Sequence, residues 1–320
     1  MSDPLRGGID LGGTKIQAAI VRPDGIAAGQ HRVPTPTDGG PAGVGEAMAG
    51  ALKEAAAAAG VQTRDLVGVG VGSPGVVDRA RGTVSQARNL PGWEGTFALG
   101  PELTSALGCP VVLGNDVQVT VEGEYRLGAG RGFDSLLCVA WGTGVGGGIV
   151  IGGEPWRGRG AAGEIGHTVV KMGGRRCPCG RKGCLEAYAG RAAMEARARK
   201  LEAKGHDTDL FRLMERKGRT RLTSGVWAKA LAHEDPVATK LVGKAVKALG
   251  AGIASAVNLL DVEAVVIAGG LGVRFGEPMR DRIEAAMMPH LFADSRPPAV
   301  KVAELGDLGG AVGASLLVGS

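Results

Sequence analysis

The sequence predicts two α/β domains with a cleft between them. The chain has 320 residues, which is enough for two compact domains or one large one. Each half begins with a strand, a glycine turn and a second strand, first at residues 5–21 and again at residues 135–152. Strands and helices alternate after both hairpins, and this alternation is typical of an α/β fold. No residue-level repeat links the halves, so they share only the order of their elements.

The first half is predicted to contain five strands and three helices. Apolar, β-branched runs bounded by glycine or proline turns indicate the strands, and capping residues mark the helix ends. The strands are predicted at residues 7–10, 15–21, 26–33, 66–72 and 110–113, and the helices at 41–59, within 93–107 and at 115–127.

The second half repeats the pattern after a long irregular segment. Residues 152–190 are rich in glycine, arginine and cysteine and show no periodicity. The strands are predicted at residues 135–141, 148–152, 262–267 and 299–303, and the helices at 191–204, 236–260, 277–287 and 310–318. We expect a small domain at residues 1–116 and a large one at 117–305, with the helix in 306–320 packing on the small domain.

Composition and charge narrow the class of protein. The formal net charge is +5, and the densest basic stretch is Arg212–Arg221. A solvated surface is the interpretation that such a run favours, with nucleic-acid binding as the alternative, although no aromatic residues interleave with the charges. No apolar run reaches the roughly 18 residues of a membrane span, and the first residues contain no apolar core long enough to predict a signal peptide. Five cysteines without an export signal indicate a reduced, cytoplasmic protein.

The turn at Asp10–Lys15 has the composition of a phosphate-binding hairpin. Gly12 and Gly13 let backbone N–H groups converge on phosphate oxygens, and Thr14 and Lys15 add side-chain donors. Asp10, at the strand end, can hold Mg²⁺ through water. A plain hairpin turn is the alternative, and the spacing is not that of a Walker loop.

Two further glycine turns follow strands in the second half. Gly142–Gly147 fits G-x-G-x-x-G, but a short β-branched run follows it. A dinucleotide site needs a helix at that point, so a second phosphate hairpin with Thr143 as a donor is favoured. Ala268–Gly272 follows another strand and suits contact with adenine and ribose, or is an ordinary turn.

Three cysteines within eight residues predict a structural zinc site. Cys177, Cys179 and Cys184 form the cluster, and His167 lies ten residues before the first of them. Three thiolates and one imidazole make a closed tetrahedral set. The C-x-C spacing argues against a redox pair. The other two cysteines lie in apolar strands and are predicted to be core residues.

Two carboxylates lie next to these predicted ligands. Glu164 precedes His167 by three residues, and Glu186 follows Cys184 by two. One zinc ion would bring both carboxylates together, and paired acceptors suit vicinal sugar hydroxyls. The alternative is that both glutamates form ion pairs with neighbouring arginine or lysine residues.

The pair Asn115-Asp116 has two interpretations. Both residue types cap helices well. Asp116 can instead act as a general base that accepts a hydroxyl proton while the oxygen attacks a γ-phosphate. Spacing does not separate the two roles.

Taken together, these stretches resemble the ROK family of sugar kinases and sugar-responsive repressors, particularly its bacterial glucokinases. The matching stretches are GIDLGGTKI, VGVGSPGVVD, NLPGW, the ND pair, GTGVGGG, GEIGH, CPCGRKGCLE and AGG. The resemblance implies an actin-like (ribonuclease H-like) two-domain ATPase fold. It implies phosphorylation of a hexose, with glucose favoured as the substrate. It also implies ATP, Mg²⁺ and structural Zn²⁺ as cofactors, and a homodimer or homotetramer.

The resemblance also implies roles for individual residues, with Asp116 as the catalytic base. Sugar hydroxyls would be contacted by Asn115, Asp116, Glu164, His167 and Glu186. Zinc would be bound by His167, Cys177, Cys179 and Cys184. ATP would be contacted by Gly8, Asp10, Gly12, Gly13, Thr14, Lys15, Gly142, Thr143, Gly144, Gly146, Gly147, Gly269 and Gly270.

One residue departs from the family pattern, and three other functions are alternatives to a glucokinase. Gly114 replaces the glutamate that the family often carries beside the base. Kinases of N-acetylglucosamine, mannose or fructose are alternatives to a glucokinase, although the short spacing from His167 to Cys177 resembles glucokinases. A sugar-sensing regulator is a second alternative, but the first strand begins about five residues in, which leaves no room for a DNA-binding domain before it. A nicotinamide oxidoreductase is the third.

Overall fold

We analysed a computed structural model, which describes residues 4–87, 90 and 92–319. Asn89 and Pro91 of the NLPGW stretch lie outside the described residues. The strands are β1 (Arg6–Leu11), β2 (Lys15–Val21), β3 (Ala27–Pro34), β4 (Val69–Ser73), β5 (Val76–Asp78), β6 (Thr83–Ser85), β7 (Thr96–Phe97), β8 (Val111–Asn115), β9 (Leu136–Trp141), β10 (Val145–Ile151), β11 (Glu154–Trp156), β12 (Ala264–Ala268) and β13 (Ala299–Val302). The α-helices are α1 (Gly40–Ala58), α2 (Leu99–Leu107), α3 (Asp116–Leu127), α4 (Glu186–Ala189), α5 (Arg191–Glu202), α6 (Leu210–Arg216), α7 (Ser224–Ala232), α8 (Pro236–Leu260), α9 (Gly269–Met287) and α10 (Gly309–Ser315).

The chain divides into two compact α/β units. The first comprises Met1–Arg131 and Glu304–Ser320, and the second comprises Gly132–Ala303. None of the helices in the described ranges combines the length and the hydropathy that a membrane span requires.

Each unit is built on a five-stranded mixed sheet with the same layout. The strand order is β3-β2-β1-β4-β8 in the first unit and β11-β10-β9-β12-β13 in the second. In both, the first three strands are antiparallel and the last two run parallel to the central strand. The shared element order predicted from the two glycine hairpins is therefore confirmed.

Glycine residues in β1 and β4 let α10 lie directly on the first sheet. A Cβ on Gly8 of β1 would come within 1.9 Å of the carbonyl oxygen of Ala311, and one on Gly70 of β4 within 1.7 Å of that of Ala314. Gly8 is buried in mid-strand. The resemblance groups Gly8 with the ATP-binding residues, and the structure shows that it also has this packing role.

The helix α3 belongs to the first unit, which therefore extends beyond the predicted boundary at residue 116. A Cβ on Gly313 of α10 would lie 1.9 Å from the carbonyl oxygen of Val119 in α3, and one on Gly123 would lie 2.9 Å from the Cα of Gly313. This close approach joins α3 to the C-terminal helix. Because α10 packs on β1 and β4, the two helices and the sheet form one compact unit.

Several elements differ from the prediction. Short strands form a third sheet, β5-β6-β7, and the helices α6 and α7 fill the predicted gap between α5 and α8. The basic stretch Arg212–Arg221 covers the last five residues of α6 and the first part of the loop after it. The helix α9 begins at Gly269 rather than at residue 277, and Gly276 interrupts it with φ 63° and ψ −155°.

Candidate active site and metal centre

The first glycine turn is a tight hairpin between β1 and β2. The Gly12 N–H donates to the Lys15 carbonyl at 2.9 Å, which leaves Gly13 and Thr14 exposed at the tip. Thr35 fastens the turn from beyond β3, since its hydroxyl donates to the Gly12 carbonyl at 2.6 Å. The hairpin therefore presents the N–H groups and hydroxyl of its tip on a fixed backbone.

Two carboxylates lie together at the carboxyl edge of the first sheet. The strand register aligns Asp10 of β1 with Gly72 of β4 and Gly114 of β8, and Asp116 follows directly after β8. Burial and the negative charge of Asp116 raise the pKa of Asp10 to about 7, while Lys15 opposes that shift. Proximity to a second carboxylate and low solvent access both favour the protonated acid. A cation held at this edge would relieve the repulsion.

Asn115, rather than Asp116, caps α3. The Asn115 side-chain oxygen accepts from the N–H groups of Val117 at 3.1 Å and Gln118 at 3.2 Å. Asp116 is the first residue of the helix, and its Oδ1 accepts from the Val117 N–H at 2.9 Å. The capping role therefore belongs to Asn115.

The glycine at position 114 has a packing reason. A Cβ there would meet side-chain carbons of Leu317 and Val119, each at 2.9 Å. A glutamate side chain would have to displace them. In this chain, Leu317 occupies the space beside the strand end that a larger residue needs.

The second glycine turn joins two strands, as predicted. The Gly142 N–H donates to the Gly144 carbonyl at 3.0 Å, and β10 follows immediately. A dinucleotide fingerprint would open a helix here, so the Rossmann alternative does not fit this turn.

Gly269 and Gly270 lie at the same sheet edge as this turn. The strands β9 and β12 are parallel neighbours, and a Cβ on Gly142 would lie 3.8 Å from the Gly270 nitrogen. Gly269 has φ 80°, and a Cβ on it would clash with the backbone of Trp141 at 2.7 Å. The structure thus brings together two glycine turns that are far apart in the sequence.

The four predicted zinc ligands form one cluster. Ligand atoms of His167, Cys177, Cys179 and Cys184 all lie within 4.8 Å of one another. The His167 Nδ1 is 3.8 Å from the Cys177 sulfur, and the sulfurs of Cys179 and Cys184 are 3.7 Å apart. Three thiols and one imidazole at this separation match the donor set of a structural zinc site.

The electrostatics of the cluster favour a cation. Burial raises the pKa of the Cys177 thiol to about 12 and also raises the pKa of Cys184. A backbone hydrogen bond from Arg181 lowers the pKa of Cys179 to about 6. Thiolates are the form that binds metal, and a bound cation would offset the repulsion between them.

Local backbone geometry closes the cysteine loop. The Cys177 N–H donates to the Arg181 carbonyl at 2.8 Å, and the Gly180 N–H to the Cys177 carbonyl at 2.9 Å. Gly183 has φ 88°, and a Cβ on it would lie 2.0 Å from the carbonyl oxygen of Lys171. The strand-like pairing of Val169 with Cys184 then holds the histidine segment against the cysteines.

Glycines also dock the segment that carries Glu164 and His167. A Cβ on Gly166 would lie 1.9 Å from the Val145 carbonyl oxygen, and one on Gly163 would lie 2.7 Å from that of Gly147. Gly147, expected at the phosphates, therefore has a packing role as well.

A chain of contacts links the two glutamates through the cluster. The Glu186 Oε1 is 3.8 Å from the Cys177 sulfur. The other ring nitrogen of His167, Nε2, is 4.0 Å from the Glu164 Oε2. Neither glutamate forms an ion pair with Arg175, Arg176, Arg181 or Lys182 in the described part of the chain. Both carboxylates therefore flank the cluster, and Glu164 is exposed.

Glu186 also contacts the second glycine hairpin, which the sequence did not predict. Its Oε2 accepts from the Val145 N–H at 3.0 Å. A Cβ on Gly144 would lie only 2.2 Å from that oxygen, so the glycine makes room for the carboxylate. One side chain thus connects the cysteine cluster to the turn at Gly142–Gly147.

Comparison with known proteins accounts for this arrangement. The sequence model of the ROK family matches residues 6–320. This chain belongs to the ROK family. It is 34% identical over 313 residues to the glucokinase of Streptomyces coelicolor, covering 96% of this chain and 95% of the relative. It is 31% identical to the N-acetylgalactosamine kinase AgaK of Shewanella, covering 97% and 95%.

A solved structure confirms the fold of this ROK protein. The ROK glucokinase of Streptomyces griseus, solved with glucose and AMPPNP, superposes with a TM-score of 0.83 at 35% identity, covering 98% of both chains. The chain has the actin-like two-domain ATPase fold of these proteins, as the resemblance implied.

Proposed function

We propose that this protein transfers the γ-phosphate of ATP to a hexose hydroxyl, converting glucose to glucose 6-phosphate. The observation that carries the proposal is the pair Asp10 and Asp116 at one sheet edge, with helix capping assigned to Asn115. Asn115 caps α3, and we assign the chemistry to Asp116, the first residue of the helix. The relatives support the same activity, since glucokinases of 33–34% identity match nearly the full chain.

In this proposal, Asp116 is the general base. Its carboxylate accepts the proton of the sugar hydroxyl as the oxygen attacks the γ-phosphorus in line. The bond between the γ-phosphorus and the β,γ-bridging oxygen breaks, and ADP leaves with that oxygen. The proton then passes from Asp116 to solvent. Glu164, Glu186, His167 and Asn115 would hold sugar hydroxyls as acceptors or donors.

ATP would be bound by both glycine hairpins. The tips at Gly12–Lys15 and Gly142–Gly144 would donate N–H groups and hydroxyls to phosphate oxygens. Gly269 and Gly270, at the start of α9, would lie by the adenosine. A Mg²⁺ ion near Asp10 would neutralise charge on the β- and γ-phosphates.

The cysteine cluster would hold a structural zinc ion in this proposal. His167 would bind it through Nδ1, which lies 3.8 Å from the Cys177 sulfur, and keep Nε2 for the sugar. The metal would thereby fix the ring and the glutamates on either side of it. We also propose that the protein forms a homodimer or homotetramer, as the family resemblance implies.

A second candidate is phosphorylation of an N-acetylated hexosamine. The identity to the N-acetylgalactosamine kinase, 31%, is close to the identity to the glucokinase. The same base and phosphate hairpins would serve, and only the pocket around the sugar 2-position would differ.

A coupled ADP-release assay over a panel of hexoses and N-acetylhexosamines tests the proposal. We expect turnover with MgATP and glucose, and loss of roughly 10³-fold or more in kcat for Asp116→Asn, because a general base contributes on that scale. Asp294→Asn, which changes an exposed aspartate, is the matched control and should keep wild-type kcat. Absence of turnover with every sugar, combined with sugar-dependent retention on DNA, would favour a regulator instead.

A further inference from the structure

The start of α5 is hydrogen-bonded to the second glycine hairpin. The Arg191 N–H donates to the Gly142 carbonyl at 3.1 Å, and the Ala192 N–H donates to the Thr143 carbonyl at 3.0 Å. Gly190 at the N-cap has no side chain to satisfy these groups. The hairpin therefore pairs two of the N–H groups that a helix start leaves unpaired, and the two segments form one hydrogen-bonded element.

The side chain of Arg191 adds a contact to the hairpin hydroxyl. Its guanidinium donates to Thr143 Oγ1 at 2.7 Å and to the Leu222 carbonyl at 2.8 Å. A guanidinium has donors only, so the Thr143 oxygen must accept in this contact. The hydroxyl hydrogen is then directed to another acceptor. Arg191 thereby prepares Thr143 to act as a donor, which is the role that a phosphate oxygen requires.

The positive charge of Arg191 is only partly compensated. Glu195 interacts with it favourably, but the Glu195 carboxylate is already bonded to Arg199 at 2.7 Å and to the Leu222 N–H at 2.9 Å. Arg221, the last residue of the basic stretch, adds a second positive charge nearby. Burial, and then this repulsion, lower the pKa of Arg191. An anion at the hairpin would supply the missing compensation.

We infer that Arg191 is a positioning residue of the nucleotide site, which orients Thr143 and holds a positive charge beside the phosphates of ATP. The inference rests on the proposed function, which assigns the hairpin at Gly142–Gly147 to ATP. A lysine could reach only one of the two acceptors at a time, because its ammonium lacks the planar fork that bonds Thr143 and Leu222 together. Substitution by lysine should therefore retain only part of the contribution that Arg191 makes to nucleotide binding.

Steady-state kinetics on four variants test the inference: Arg191→Met, Arg191→Lys, Thr143→Val and the double variant Arg191→Met/Thr143→Val. We expect Arg191→Met to raise KM for MgATP about tenfold, the effect of one charge-assisted hydrogen bond, with kcat and the sugar KM within about twofold of wild type. Arg191→Lys should fall between. The double variant should raise KM by less than the product of the single effects, because Arg191 acts partly through Thr143.

Lys200→Met is the matched control. Lys200 lies on the same helix, is exposed and carries the same charge, but it is nine residues further along. At about 1.5 Å per residue, it lies roughly 13 Å from the start of the helix. Its KM for MgATP should equal that of wild type. An equal increase in this control would show that only net charge matters and would overturn the inference.

Other outcomes separate the inference from the proposed function. An unchanged KM for MgATP in a folded Arg191→Met variant overturns the inference and leaves the kinase proposal intact. If a thermal melt shows that Arg191→Met is not folded, the inference is tested on Arg191→Lys and Thr143→Val instead. An unchanged KM for MgATP in both of these variants overturns the inference. If wild type phosphorylates no sugar, the kinase proposal fails, and titration with MgAMPPNP decides. Weaker binding by Arg191→Met would then support the inference, whereas equal binding, or none by wild type, would overturn it.

Discussion

Replacing Asp10 by asparagine should stabilise the protein at high pH, although Asp10 is a proposed Mg²⁺-site residue. The folded state raises the pKa of this carboxyl from 3.8 to about 7, first through burial and then through Asp116. The folded protein thus holds the proton more tightly than the unfolded chain. Stability should fall as pH rises from 3.8 to about 7 and stay constant above that range. Asparagine imitates the protonated acid at every pH and removes this loss.

The size of the effect follows from the shift. A rise of about three units corresponds to at most about 4 kcal/mol, at roughly 1.4 kcal/mol per unit. We therefore expect Asp10→Asn to exceed wild type in free energy of unfolding by up to about 4 kcal/mol at pH 8, with no difference below about pH 4. Urea unfolding without nucleotide or divalent cation, at several pH values, measures this difference.

Two comparisons show whether the cause is correct. Asp116→Asn removes the neighbouring charge, so the pH range over which stability falls should move down in that variant. Asp294→Asn, in an exposed loop, should follow the wild-type curve. A variant Asp10→Asn that is less stable than wild type at pH 8, or that differs from it equally at all pH values, would refute the reasoning.

Two further predictions concern the link between the cysteine cluster and the glycine hairpin. In Gly144→Ala, the new Cβ would lie 2.2 Å from the Glu186 carboxylate, so that side chain must move. We expect kcat/KM for the sugar, measured from initial rates, to fall about tenfold or more. The free energy of unfolding, measured in urea, should fall by roughly 1–3 kcal/mol. Normal rates in this variant would mean that the position of Glu186 is unimportant. Cys184→Ser removes one ligand of four, so bound zinc measured by elemental analysis should fall from one per chain toward zero and the thermal midpoint should drop by several degrees. Ser255→Ala, at an exposed position on α8, is the control, and wild-type protein purified without any bound metal would contradict the zinc assignment.

Short-range patterns were sufficient for much of the fold. The helix α8 was predicted at both ends, because Asp235 and Pro236 begin it and a continuous apolar periodicity extends to Leu260. Both glycine hairpins were also predicted, since the β-branched runs on either side of each turn are close in sequence. The small sheet β5-β6-β7 was missed, because strands of two or three residues are too short to show a period of two.

The cysteine cluster could also be predicted without a structure. Its thiols lie within eight residues, so the loop can bring them together whatever the rest of the chain does. Contacts between segments that are distant in the sequence could not be predicted in this way. The sequence did not indicate that Glu186 bonds Val145, that Asp10 lies beside Asp116, or that Gly8 makes room for α10.

The sequence by itself determined which residues can carry chemistry: the two glycine turns, the cluster of three cysteines and His167, and the carboxylates next to that cluster. The tertiary structure decided which of these residues meet and which glycines also serve packing. Strand register aligned Asp10 with Gly114, and parallel pairing of β9 with β12 brought Gly142 to Gly270. Local patterns record the preferences of neighbouring residues, whereas contacts between distant segments depend on how every intervening element packs. That packing is settled only when the whole chain folds.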